Sequence, residues 1–467
     1  MLELALVLAV PWLAPLATLG SDFGGVAPRR WFVATAALEV LAATLAAALS
    51  PDLDAIGRFL VVLVAFVGAL AMVASGPTLH GIKGTRGRRF YFLWLAAFWW
   101  SLLVLAISQN LGLSWIAIEL TTVTSAILVA ISGRQTAVEA AWKYAILCSV
   151  GLLLALLGVL FLLSLANRSG AVPSMAALDF SAIHLRAAVM PAGAVRLALI
   201  LLTVGLGTKI GFAPMHTWLP DAHSEAPAPV SGLLSGVLLP LVLVVLWRVD
   251  EATRVAVGTA FPRELLLGFG LLTVLVATPF LLLQVDIKRL LAYSTAEQMG
   301  LLAIALGIGS RLAVEAAFVQ LAIHALVKSG LFFVAGDVLE TFGSKHLPRT
   351  TGLLTSHPRL GWPWIVGLLT LSGLPPFPMF LSEIAIVFSL FRVSVWLGGL
   401  LAALLTVLFV GMAHYMIQMS LGKPPSRPAQ ARGRGFQGAL AALVVALPLG
   451  VVAPFLPHML ASLIGGR

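Results

Sequence analysis

Lys209 sits in the run LALILLTVGLGTKIGFAPMHTWLPDAHSEAPAPVSGLLSG, a cation that closes a long apolar stretch just before a helix-breaking Pro214. An ammonium at that depth costs at least about 2.5 to 3.5 kcal/mol on insertion scales, so it marks a functional site by default. Chemistry offers two remedies. The lysine can give up its proton, and a group poised between charge states passes protons onward, or it can sit beside a carboxylate. Glu119, in SWIAIELTTVTSAILVA, is the expected partner, with Trp115 one turn before it and Thr122 one turn after, and with Thr121, Thr124 and Ser125 nearby. The competing reading is a structural carboxylate capped by those hydroxyls.

FVQLAIHALVKSGLFFVAG places His324 and Lys328 one helical turn apart, with Gln320 a turn earlier. The three form a polar stripe on an apolar helix and point to a hydrated or proton-relaying face. Ser329 and Gly330 read as small packing residues. In IVGLLTLSGLPPFPMFLSEIAIVFSLF, Pro375, Pro376 and Pro378 remove backbone donors that lipid cannot replace, so the helix must break there. Broken helices survive inside protein or beside watery cavities, which places Glu383 at such a cavity rather than at a frayed end.

The elements that carry these groups are set by composition. Of 467 residues, 60% are hydrophobic and 10% charged, and the mean hydropathy is +1.03, which excludes an ordinary soluble domain. Stretches near the roughly 20 residues needed to cross a bilayer predict an all-α polytopic membrane protein. About fourteen transmembrane helices are expected, the last over 436–464 and the twelfth broken. The first carries Glu3 and no basic leader, so no cleaved signal is expected.

The net charge of +10 reads as membrane orientation rather than nucleic-acid binding. Lys and Arg dominate one alternate set of loops, among them Arg29, Arg30, Lys83, Arg134, Lys143, Lys288, Arg289, Lys345, Lys423 and Arg427. The positive-inside bias places that set, with HTWLPDAHSEAP, in the cytoplasm and both termini outside. The single cysteine, Cys148, permits no internal disulfide and no thiolate metal site, and reads as a packing residue. No CxxC, CxxCH or Gly-rich nucleotide loop appears, so no cofactor and no metal is expected. Redox energy must then arrive from partner subunits.

Pro214 and Pro375–Pro378 interrupt the seventh and twelfth spans, five apart. A five-helix repeat follows, and an odd number of crossings makes its copies inverted. Glu119 then corresponds to Glu297 in RLLAYSTAEQMG. The expected organisation is 1–89 as an N-terminal three-helix segment, 90–248 and 249–420 as two half-channels, and 421–467 as a loop with the last helix.

KIGFAPMHTWLPDAHSEAPAPVSGLLSG, WIAIELTT, RLLAYSTAEQMG and AIHALVKSGLFFVAGD resemble the antiporter-type membrane subunits of respiratory complex I and Mrp antiporters. Within that superfamily, WIAIELTTVTSAILV and AWKYAILCSVG are most similar to component F of hydrogenase-4, a subunit of formate hydrogenlyase-type complexes. The resemblance implies proton translocation in a prokaryotic inner membrane, beside other membrane subunits of a hydrogenase or complex I-like assembly. It implies a Glu119–Lys209 pair, an eleventh-span centre at His324 and Lys328, and a terminal Glu383. Ser235, Glu297, Gln320, His216 and His223 are accessory candidates. Many members carry an eighth-span lysine bridging the halves, whereas this chain has Pro240, so Ser235 or water must bridge them or the halves are uncoupled. An Mrp-type cation/proton antiporter subunit, a membrane partner for inorganic-carbon uptake and a non-conducting scaffold remain alternatives.

Overall fold

The computed structural model describes residues 2–18, 26–78, 82, 84–167 and 175–423. The predicted fourteenth span at 436–464, Lys83 and Arg427 lie outside the described residues. Eleven helices among those described are long and apolar enough to cross a membrane. The chain runs through α1 (Leu2–Ala9), α2 (Leu13–Ala17), α3 (Val26–Leu49), α4 (Ala55–Thr78), α5 (Gly84–Ile107), α6 (Leu111–Ala130) and α7 (Gln135–Asn167). It continues through α8 (Phe180–Ala187), α9 (Ala192–Ile210), α10 (Leu219–Glu225), α11 (Ala228–Leu233) and α12 (Leu239–Val257). The remainder comprises α13 (Ala260–Leu282), α14 (Ile287–Ile308), α15 (Arg311–Phe342), α16 (Leu353–Ser356), α17 (Pro358–Leu371), α18 (Pro378–Val393) and α19 (Val395–Leu421).

Burial divides these helices. The apolar stretches of the segment from α11 through α12 and of α15 are wholly buried, and that of α14 nearly so, whereas α3, α7 and α19 bury well under half of theirs. Polar side chains tolerated in apolar segments must find protein partners. The three central helices accordingly carry Ser235, Ser294, Glu297, Gln298, Gln320, His324 and Lys328, all buried.

Both predicted helix breaks are present. At the first, α9 stops at Ile210, Gly211 turns the chain with φ +87°, and a short 3-10 turn over Met215–Trp218 leads into α10. The freed backbone groups are satisfied internally, as an apolar setting requires: Trp218 Nε1 donates to the Thr208 carbonyl at 2.8 Å and the Ala213 N–H donates to Thr273 Oγ1 at 3.0 Å. At the second, α17 ends at Leu371 and α18 restarts at Pro378. The Leu374 N–H still reaches the Leu369 carbonyl, at 3.3 Å.

Charge pairs sort the loops into two ends. Arg134, Glu225, Asp286 and Lys345 join in one network, with contacts of 3.1 Å for Arg134–Glu225, 2.8 Å for Lys345–Glu225 and 3.4 Å for Lys345–Asp286. At the other end Arg248 grips both oxygens of Asp54 at 2.9 Å and reaches Gln109 at 3.2 Å. Alternate loops therefore gather at a common end, as an unbroken series of crossings requires. One cap-and-bridge arrangement occurs twice. Asn110 caps α6 and bridges Asp179 beyond α7, while Asp286 caps α14 and bridges His346 beyond α15.

Candidate proton-transfer site

Lys209 is fully buried at the end of α9. Its Nζ donates to Thr122 Oγ1 at 2.8 Å and to the Tyr144 hydroxyl at 2.5 Å. It also lies 4.5 Å from the centre of the Tyr144 ring, which adds a cation–π attraction. The Tyr144 hydroxyl meets Ser125 Oγ at 2.7 Å. The ammonium forms no ion pair with any described residue. Glu119, the expected direct partner, is half-buried and points along the α6–α7 seam, where its Oε1 accepts from Ser149 at 2.9 Å and its Oε2 is buried without a partner. Hydroxyls of α6 and α7 thus stand where the sequence suggested a carboxylate.

The second centre is denser. Lys328 Nζ donates to the Leu291 carbonyl at 2.8 Å and to Ser294 Oγ, both on α14. One turn earlier, His324 Nε2 faces the Ser235 carbonyl at 3.2 Å, and Ser235 Oγ meets Thr295 Oγ1 at 2.7 Å. Another turn back, Gln320 Nε2 donates to Gln298 Oε1 at 2.6 Å, while its own Oε1 accepts from Ser382. Gln298 Nε2 stands 3.4 Å from both Glu297 Oε1 and Glu383 Oε1. A small cavity of about 20 Å³ opens among Ser294, Glu297, Gln298, Ser372, Glu383 and Met412, room for about one water. The broken twelfth segment does bring Glu383 to a cavity.

Gly373 makes that placement possible. It has φ +61°, and a Cβ there would fall 1.9 Å from Glu383 Oε2. No side chain fits between this backbone and the carboxyl.

The remaining candidates separate. His223 is fully buried, with Nδ1 2.8 Å from the Leu219 carbonyl and Nε2 unpartnered. His216 packs near Phe280 and Tyr293 at ring distances of 6.2 and 6.3 Å and joins neither lysine centre. One loop assignment needs correction: Lys288, counted among loop cations, is only 2% exposed and donates to the Ala226 carbonyl at 2.5 Å. It lies in the first turn of α14, and the α10–α11 connection folds over it. A DxK helix start reads as a surface motif until that connection is placed.

Sequence reasoning also passed over Tyr144, Ser149, Gln298 and Ser382. Each has a polar tip in an apolar segment, which is the available signal, but such residues often only satisfy their own helix. Tyr144→Phe tests the first centre in its gentlest form. It removes one hydroxyl and keeps the ring, so the rate of proton transfer through the chain should fall about fivefold, the size of one hydrogen bond. Rates in membrane vesicles, with electron transfer as the assembly control, measure it.

These features define a polytopic α-helical membrane protein with two buried lysine centres, each beside an interrupted helix. The chain belongs to the NADH:quinone oxidoreductase/Mrp antiporter transmembrane family, whose profile matches residues 108–409. It is 36% identical over 336 residues to the hydrogenase-4 component F homolog of Methylacidiphilum infernorum, covering 72% of this chain and 70% of that protein. It is 30% identical over 409 residues to NADH-quinone oxidoreductase subunit N of Desulforudis audaxviator, covering 85% and 80%. Its fold matches a chain of an archaeal membrane-bound sulfane sulfur reductase with a TM-score of 0.85 at 21% identity, over 99% of this chain and 97% of that one. A chain of respiratory complex I from Thermus thermophilus matches with a TM-score of 0.75 at 25% identity, over 98% of each. The protein is an antiporter-like membrane subunit, and its relatives are parts of multi-subunit membrane complexes.

Proposed function

We propose that this chain translocates protons as a non-redox subunit of a redox-driven complex, of the hydrogenase-4/formate hydrogenlyase or complex I-like type, in a prokaryotic inner membrane with both termini outside. The observation that carries the reading is that Lys209 and Lys328, each buried beside an interrupted helix, are held by hydroxyls and a carbonyl rather than by carboxylates. An ammonium held this way is solvated enough to stay in place and free enough to release its proton when the local field changes. Segments 90–248 and 249–420 serve as the two half-channels, with Lys209 and Lys328 as their switches and Glu383 as the terminal group.

In this reading a movement of Glu119 changes the field at Lys209. A unit charge pair about 4 Å apart is worth about 4 kcal/mol at an effective dielectric of 20. The face of α6 that carries Glu119 also exposes Ile116, Leu120 and Val123, so a neighbouring membrane subunit packed there can draw the carboxylate toward Lys209 or away from it. Electron transfer in the partners supplies the energy.

The test is vesicle acidification driven by the electron donor of the purified complex. We expect acidification that is unchanged when sodium is replaced by potassium. Strict sodium dependence would move the assignment to a cation/proton antiporter subunit of the Mrp kind.

A further inference from the structure

The segment that joins the two lysine centres contains no ionisable side chain between Ser231 and Trp247. Its backbone, however, is irregular at one place. Between α11 and α12 the chain makes a π turn over Leu234–Leu238, in which the Leu239 N–H reaches back five residues to the Leu234 carbonyl. The next bond in that register would run from residue 240 to the Ser235 carbonyl. Residue 240 is proline and has no N–H to donate. The Ser235 carbonyl is left open inside the buried stretch of this span, where an unpaired acceptor is costly.

His324 fills the vacancy. Its Nε2 lies 3.2 Å from the Ser235 carbonyl oxygen, and the approach is allowed because Gly236 has no side chain. A Cβ on Gly236 would meet the Ala325 carbonyl oxygen at 2.7 Å. A carbonyl only accepts hydrogen bonds, so Nε2 must carry the hydrogen and Nδ1 must present its lone pair. Nδ1 is buried and has no hydrogen-bond partner.

We infer that Pro240 is a positioning residue for His324: by withholding a backbone donor from Ser235 it reserves that carbonyl for the imidazole, and so makes Nδ1 the single proton port of the ring. The inference rests on the proton-pathway reading and deepens it. A proton arriving from hydronium or from an ammonium on the Lys328 side forms an N–H bond at Nδ1 and leaves water or amine, respectively, behind. The imidazolium keeps its Nε2–H on Ser235, and the proton departs from the atom it reached. His324 is therefore a holding station. A proton crosses between the halves when the ring turns away from Ser235, and this hydrogen bond returns the ring to the position in which Nδ1 is loaded again. Pro240 thus fills the role of the missing charged relay by a backbone device.

The experiment compares Pro240→Ala, His324→Ala and the double variant in vesicles containing the intact complex, with proton transport normalised to electron transfer. Alanine restores an N–H that competes for Ser235. We expect Pro240→Ala to slow transport about fivefold, the size of one hydrogen bond, and to add no further loss once His324 is alanine. Additive losses would overturn the inference while leaving His324 on the pathway. Unchanged transport in His324→Ala would remove both the inference and the role of His324. Should Pro240→Ala fail to assemble, incorporation of the α-hydroxy analogue of alanine at position 240 restores the side chain without an N–H. Transport close to that of the unaltered complex supports the inference, and a defect of about fivefold or more overturns it.

Discussion

Lys209→Met stops proton translocation, at least about tenfold below the unaltered complex, while electron transfer through the partner subunits continues. The reasoning is local. Methionine fills the volume of the lysine stem but has no proton to release and no donors for Thr122 Oγ1 and the Tyr144 hydroxyl, which hold Nζ at 2.8 and 2.5 Å. Hydrogen bonds to a charged group are worth about 1.5 to 3 kcal/mol each, and each 1.36 kcal/mol on a barrier is tenfold in rate. Losing the transferable proton removes the step outright. Thr122 and Tyr144 keep hydrogen bonds to the Ile118 carbonyl and Ser125, so the complex should still assemble. The measurement is vesicle acidification beside electron-transfer rate and the thermal midpoint of the purified complex. Normal acidification with a methionine at this position would remove Lys209 from the pathway.

The second large effect comes from a residue with no chemistry of its own. Gly373→Ala places a methyl group where Glu383 Oε2 now lies, at 1.9 Å, and forces a non-glycine residue into a left-handed conformation at a cost of roughly 1–2 kcal/mol. The carboxyl must swing out of its cavity and abandon its contacts with Gln298 and Gln320, each 3.4 Å away. Transport should fall as far as it does in Glu383→Ala, and the double variant should transport no less than either single one. A Gly373→Ala complex that pumps normally would show that Glu383 does not act from the cavity. The same comparison separates a positional effect from general damage, since a folding defect would also lower electron transfer and complex yield.

Much of this architecture was legible along the chain. Apolar runs of bilayer length announced a polytopic membrane protein, and the prolines at 214, 375, 376 and 378 announced both breaks, because a missing N–H in an apolar segment has an immediate structural consequence. The lysines at 209 and 328 were conspicuous for a similar reason, since an ammonium in hydrocarbon is rare unless it has work to do. Pro240 was read as a gap in a chain of charges. The spacing in the sequence could not show that its missing N–H would be matched by an imidazole from α15.

Partner choice was hidden. Glu119 and Lys209 are ninety residues apart in sequence, and the expectation of a direct pair followed from charge alone. In the structure the Tyr144 hydroxyl, with the Thr122 hydroxyl, occupies the position beside the ammonium, and Glu119 turns toward Ser149. Lys288 shows the converse error. Its place at a helix start beside Asp286 and Arg289 looked like a solvated loop, and only the fold of the α10–α11 connection covers it.

The sequence by itself determined the membrane class, the two helix breaks and the burial of the lysines at 209 and 328. Those follow from what each residue can offer its own backbone and its immediate solvent. Tertiary structure alone decided which oxygen each lysine holds, that Glu383 shares a cavity with Glu297, and that Ser235 offers its carbonyl to His324. A hydrogen bond exists or fails within a few tenths of an ångström, and the helices that supply its two ends are brought to that distance by packing that no local pattern encodes.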